Sequence, residues 1–185
     1  SDYAPKTVTA NQQNNSKFPL RICYHDIYTN GIHPDARFPR NRYVKLLQQL
    51  TTHSPTGLFD FVEPEQATKA DLLTAHDSKY VNDFLNQNLT EKEIRRIGLT
   101  PWTPDIVPRT LFLMGGAIAA LRHVAGYGGI AGNMAGGTHH AHYDFGSGYC
   151  IFNDLAVCAL LALEEYNFER VAILDFDVHQ GDGTA

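Results

Sequence analysis

Residues 170–184 read RVAILDFDVHQGDGT, and this stretch decides the fold. RVAILDFD (170–177) is an unbroken apolar run with β-branched Val171 and Ile173. It reads as a central parallel strand buried on both faces, because a strand covered by helices above and below needs no polar alternation. Asp175, Asp177, His179 and Asp182 follow where that strand ends. In open α/β sheets, ligands bind beyond the carboxyl ends of the strands. Asp177 and His179 are two residues apart, so in extended backbone their side chains share one side. A carboxylate and an imidazole aimed at one point suit a divalent transition metal, zinc above all. Asp175 has the same parity and is placed to support them from behind. Gly181 and Gly183 permit the sharp turn that re-aims Asp182. The plain alternative is a DG turn with a chance histidine beside it.

Working outward, LRICYH (20–25) and LFDFVEP (58–64) read as strands, the second stopped by Pro64, and GGIAGNMAGG (128–137) holds a short strand of small residues. Helical patterns lie between them: RYVKLLQQL (42–50), TKADLLTAH, DSKYVNDFLNQ, TEKEIRRIG (90–98), a long apolar helix from about 108 to 124, and NDLAVCALLALEEY (153–166). Asp77 or Ser78 caps the third of these, Thr90 and Glu93 form a capping box closed by Gly98, and Asn153 or Asp154 caps the last. YTNGIHPDARFPR reads as loop. The Gly115–Gly116 pair costs about 1 kcal/mol per glycine in helix propensity, which implies close packing there. Strands alternating with helices predict an α/β fold with a mostly parallel sheet and no internal domain boundary. Residues 1 to about 18 are rich in Asn, Gln and Ser, lack periodicity, and read as a flexible arm.

The chain has 185 residues, 43% hydrophobic and 19% charged, the balance of a globular domain rather than a disordered one. Its 15 Lys+Arg against 20 Asp+Glu give a net charge of −5, which argues against general binding to nucleic acid or anionic membrane. The longest apolar stretch (111–132) is broken by Arg122 and His123 and reads as a buried helix and strand, not a membrane span. Cys23, Cys150 and Cys158 lack C-x-x-C spacing and read as small buried hydrophobes, so a reducing cytoplasm is the expected compartment. The first residues carry no apolar signal core, consistent with a cytoplasmic location.

GGTHHAHYDFGSGYCIFND (136–154) carries the second set of reactive groups. His139, His140 and His142 fall within four residues, beside glycines that leave room for a substrate. Tandem imidazoles suit acid–base work: one can take a proton from water while the other stays protonated and stabilises developing charge. Each needs a carboxylate to fix its tautomer, and Asp175 and Asp182 are the natural candidates.

GGTHHA, GSGYCIFND and DFDVHQGDGT, in this order and spacing, closely resemble the zinc-dependent histone deacetylase family of the arginase/deacetylase fold. The HP…RFP, HDSKYVNDF and PRTLFLMGGAIAA segments are similar to its bacterial members, so the resemblance covers roughly residues 20–185. It implies a three-layer α/β/α architecture and amide hydrolysis on acetyl-lysine or a small acetylated amine. It assigns Asp177 and His179 as two of three zinc ligands, and His139 and His140 as the catalytic histidines, with His140 the general base. Asp175 would pair with His139 and Asp182 with His140. The Asp175, Asp177, His179 segment also matches a structural potassium site. Gly148 matches a backbone contact to the substrate amide, and Tyr149 an aromatic wall of the acyl-lysine tunnel, usually Phe. Either Arg37 or Arg42 corresponds to a basic residue of an inner channel.

The family pattern runs on past Ala185. Its third zinc ligand, an Asp, and a Gly-Gly-Tyr segment have no candidate in this chain. The expectation is therefore that residues 19–185 form the N-terminal part of a deacetylase domain, incomplete at the C-terminus, inactive alone and a poor zinc binder. An uncovered apolar edge on RVAILDFD would favour a homo-oligomer. Two other readings compete: a non-catalytic fragment serving as a binding or dimerisation module, and an arginase-like ureohydrolase with a binuclear metal site.

Overall fold

A computed structural model describes residues 19–185, and the arm read over residues 1–18 lies outside that range. Three parallel strands form the sheet: β1 (Leu20–Cys23), β2 (Phe59–Val62) and β3 (Ala131–Asn133), in the order β2-β1-β3. Seven helices accompany them among the described residues: α1 (Ile27–Asn30), α2 (Arg42–His53), α3 (Lys69–Leu73), α4 (Ser78–Leu85), α5 (Glu91–Ile97), α6 (Ile106–Tyr127) and α7 (Asp154–Glu164). This is the α/β arrangement expected. None of these helices is long and apolar enough to cross a membrane.

Local chemistry accounts for most element boundaries. Asp77 caps α4 by accepting the Tyr80 N–H at 3.0 Å, Thr90 and Glu93 form the capping box of α5, and Gly98 ends it with φ 85°. Asn153, rather than Asp154, caps α7 by accepting the Ala156 N–H at 3.0 Å. A second capping box, Thr68 with Asp71, opens α3. One helix was not foreseen: α1 takes up the start of the segment read as loop, in a single four-residue turn. Arg21 stands opposite Asp60 in the β1–β2 register and donates to it at 3.0 and 2.8 Å. The pair is half-exposed, so it is worth roughly 0.2–1 kcal/mol.

The long helix α6 is the central support, packed on β1, β3, α1 and α7. The close approach expected at its glycine pair is present. A Cβ on Gly115 would drive into the Glu65 carbonyl oxygen, and one on Gly116 would lie 2.5 Å from Tyr28 Oη. The Ala67 N–H donates to the Leu111 carbonyl at 2.9 Å beside that contact. Phe152, Tyr80 and Phe84 pack edge to face, and buried Tyr80 donates its hydroxyl to the Ile151 carbonyl at 2.8 Å. Cys23 and Cys150 are buried and Cys158 half-buried, all unpaired. Burial pushes the Cys150 thiol up to about 11 and Cys158 to about 12, so they are packing groups.

The decisive stretch behaves differently from its reading. Residues 170–177 form no hydrogen-bonded ladder with β1–β3. Leu174 is 78% exposed and Phe176 92%. A strand that is apolar on both faces needs neighbours on both edges, and among the described residues neither edge has one. The segment is held by its ends instead. The Phe168 N–H donates to the Ala162 carbonyl at 3.0 Å, and the Gly183 N–H donates to the His139 carbonyl at 2.9 Å.

Candidate active site

The loop after β3 is fastened to the start of α7. Asp154, 4% exposed, accepts the Gly137 N–H at 2.9 Å, and the Thr138 N–H and hydroxyl at 2.8 and 2.7 Å. A carboxylate in the first turn of a helix is favoured by the helix dipole, so one residue both serves α7 and fixes the loop. Thr138 is thereby set, and the two histidines after it are presented side by side, with ring centroids 4.2 Å apart.

Each histidine has its own carboxylate. His139 Nδ1 lies 2.7 Å from Asp175 Oδ2, and His140 Nδ1 lies 2.7 Å from Asp182 Oδ1. Both pairings anticipated from the sequence are formed. His139 is buried, and His140 is half-buried at the cavity wall. The Asp177 N–H donates to Asp175 at 3.0 Å, and this bond followed by the His139 contact holds the Asp175 carboxyl below its ordinary range. The His140 contact, then a second one from His142 at 3.1 Å, lowers Asp182 to about 2. Both aspartates are therefore ionised at neutral pH, ready to accept an N–H from an imidazole.

Asp177 and His179 meet as the spacing implied. Asp177 Oδ1 accepts the His179 backbone N–H at 2.8 Å and stands 2.9 Å from His179 Nδ1, and these contacts lower its pKa. The same oxygen is 3.9 Å from His139 Nε2, and the His179 ring is 5.9 Å from that of His140. One carboxylate and one imidazole beside the tandem histidines are donors of the right chemistry for zinc. They are two, and a catalytic zinc normally takes three protein ligands. Among the described residues no group of three His, Cys, Asp or Glu side chains is placed to hold a metal. Asp175 turns its oxygens to His139 and the Asp177 N–H.

His139, His140, Asp175, Asp177 and His179 line one cavity of about 540 Å³, and Asp182 and His142 are outside its lining. Gly148 and Tyr149 line it too, and Gly148 is required where it stands: its φ is 53°, and a Cβ would lie 2.6 Å from His140 Cδ2. Tyr149 also has positive φ, 68°, a conformation unusual for a bulky residue. It is held there by its N–H, which donates to the Ile97 carbonyl at 2.7 Å, and by an edge contact with Phe38.

The lining also includes Arg42 and Arg109. Of the two arginines left open by the sequence, Arg42 lines the cavity, whereas Arg37 is exposed elsewhere. Arg109 was not anticipated. It is 3% exposed, donating to the Tyr28 carbonyl at 3.0 Å and the Tyr43 hydroxyl at 3.1 Å, with its pKa lowered by burial. Its signal was its place in the apolar face 106, 109, 110, 113 of α6, where a guanidinium is out of character. Asp154 was visible only as a helix cap, and His142 had no partner assigned to it.

The model of the histone deacetylase domain matches residues 36–185. The chain belongs to the histone deacetylase family. It is 39% identical over 168 residues to an uncharacterized protein of Picosynechococcus, covering 89% of this chain and 54% of that one. It is 30% identical over 165 residues to histone deacetylase 2 of Arabidopsis thaliana (86% of this chain, 42% of that one). It is likewise 30% identical over 173 residues to the acetoin utilization protein AcuC of Staphylococcus aureus (89% and 42%). The chain thus spans about half the length of these relatives. The adjacent histidines His139 and His140 and the segment Asp175, Asp177, His179 of this chain all fall within the matched range and meet at the cavity.

Proposed function

We propose that this cavity is the acid–base side of a deacetylase active site, hydrolysing the amide of acetyl-lysine or a small acetylated amine. The observation that carries the reading is the pair of adjacent histidines, each with Nδ1 at 2.7 Å from its own aspartate, on the wall that also bears Asp177 and His179. With Nδ1 committed to Asp182, His140 has Nε2 free to accept the proton of an attacking water. The water oxygen bonds to the acyl carbon, the C–N bond breaks, and the leaving nitrogen takes its proton from a protonated histidine of the pair. Acetate and a free amine result. Asp177 and His179 would contribute two ligands to a zinc ion, which when bound polarises the acyl carbonyl and acidifies water. The Gly148–Tyr149 turn would border the acyl chain, and Arg42 and Arg109, on the same lining, would offer positive charge to an acetate product.

An arginase-like ureohydrolase is disfavoured by one specific arrangement. Asp175 and Asp182 are turned toward His139 and His140, so they are not free as the extra carboxylates a second metal needs. Potassium at the Asp175–His179 segment would be a structural addition outside this chemistry. The three free thiols, two of them buried, favour a reducing cytoplasm as the working compartment. Among the described residues two zinc donors meet, and we expect the 185-residue chain by itself to bind zinc weakly and to be inactive. The test is acetate release by the full-length protein from a panel of acetyl-lysine peptides and acetylated polyamines. Turnover of at least one class is expected, and hydrolysis of none of them would refute the reading.

A further inference from the structure

Asp182 serves two histidines. Oδ1 lies 2.7 Å from His140 Nδ1, and Oδ2 lies 3.1 Å from His142 Nε2. His142 is outside the cavity lining and touches no group that would meet a substrate. Its position is nevertheless set on every side. Its ring stacks on Phe145, with centroids 4.4 Å apart and planes 15° off parallel, and Arg96 lies over the same Phe145 ring at 4.6 Å. Its N–H donates to the Phe145 carbonyl at 2.9 Å. Its carbonyl accepts from buried His76 Nδ1 at 3.0 Å. His76 is committed to that tautomer, because its Nε2 accepts the Asn153 N–H at 2.9 Å, and burial lowers its pKa so that it stays neutral. A chain of fixed contacts thus runs from the start of α7 through His76 to His142 and on to Asp182.

We propose that His142 is a positioning residue for His140, acting through Asp182. Asp182 is half exposed, and a carboxylate on a surface turn with one partner is free to rotate about its side-chain bonds. The His142 Nε2–H occupies Oδ2 and leaves Oδ1 directed at His140 Nδ1. His140 is then kept as the Nδ1–H tautomer, with Nε2 open toward the cavity. The charged and titratable groups around His142 are Asp182 and His140 on one side, His76 on another, and Arg96 beyond Phe145. The proposal rests on the deacetylase reading for its catalytic consequence, but its structural step does not.

Two substitutions separate positioning from packing. His142→Phe keeps an aromatic ring on Phe145 and removes the donor. His142→Gln loses the stack and keeps an N–H within reach of Asp182. The first readout is the His140 tautomer, by long-range proton–nitrogen correlation in the metal-free 185-residue chain at a pH of about 8.5, above the ordinary histidine range. His140 is expected as the Nδ1–H form in the wild type and in His142→Gln, and as a tautomer mixture in His142→Phe. The second readout is turnover by the full-length protein. There His142→Phe is expected to lower kcat about tenfold with KM unchanged, in line with the effect of removing partners of site histidines. His142→Gln should hold most of the activity. If His142→Phe does not fold, His142→Asn, whose shorter amide falls short of Asp182, is read in its place. An unchanged His140 tautomer in the donor-less variant overturns the proposal. So does the reverse pattern, with the Gln variant damaged and the Phe variant intact. An inactive wild-type protein with the expected tautomers would count against the deacetylase reading and leave the positioning role standing.

Discussion

Gly148→Ala is the most direct structural perturbation of the site. A Cβ at this position would stand 2.6 Å from Cδ2 and 2.9 Å from Cγ of His140, where ordinary contact begins near 3.4 Å. The imidazole must therefore retreat by 3.4 − 2.6 = 0.8 Å, or the turn must open by as much. A shift of that size is large against the 2.7 Å contact between His140 Nδ1 and Asp182, whose distance or angle it must spoil. The positive φ adds roughly 1–2 kcal/mol for any residue with a Cβ. For a chain of this size that lowers Tm by about 2–8 °C. Misplacing a reacting group by about 1 Å costs on the order of 10²-fold in rate. The assays are thermal unfolding and acetate release by the full-length protein, with Gly126→Ala as control. Gly126 lies in α6 with nothing near its Cβ position, so that change should be neutral or stabilising by up to about 1 kcal/mol. Gly148→Ala with wild-type Tm and turnover within twofold of the parent would refute the argument.

Three further outcomes follow from the same geometry. Asp154→Ala removes the acceptor for three hydrogen bonds from Gly137 and Thr138, and should destabilise the chain by about 3 kcal/mol, lowering Tm by roughly 6–12 °C in a melting experiment. Asp182 has a folded-state pKa of about 2 against roughly 3.9 when unfolded, so its contribution to stability is complete above about pH 4 and is lost as pH falls toward 2; carboxyl NMR titration should find that midpoint, and an ordinary value near 3.9 would contradict the two-histidine contact. Replacing exposed Leu174 and Phe176 together by Ser should leave unfolding free energy within about 0.5 kcal/mol and reduce self-association in sedimentation, because these side chains are largely open to solvent.

What could be read in the sequence was chemistry that is local. The parity of Asp177 and His179, the adjacency of His139 and His140, and the caps at Asp77, Thr90 and Asn153 each depend on a few consecutive residues, and each is found in place. The glycine pair at 115 and 116 also announced its contacts, because glycine in an apolar helix has few other reasons. Pairing of RVAILDFD is a different kind of property. Its apolar composition states what it needs on both edges, while a ladder depends on which strands lie beside it. Arg109 was hidden for a related reason: its burial comes from Tyr28 and Tyr43, distant in sequence. His142 was visible as a third histidine, but the second oxygen of Asp182 that engages it comes from forty residues away.

The central claim is that the His140–Asp182 pair handles the proton in amide hydrolysis. It is tested most directly by His140→Ala in the full-length protein, with turnover and zinc content measured on the same sample. Loss of a positioned acid–base group should lower kcat by roughly 10²–10⁴ while bound zinc, whose proposed ligands are Asp177 and His179, stays at the wild-type level. Wild-type turnover in the His140→Ala protein would contradict the account.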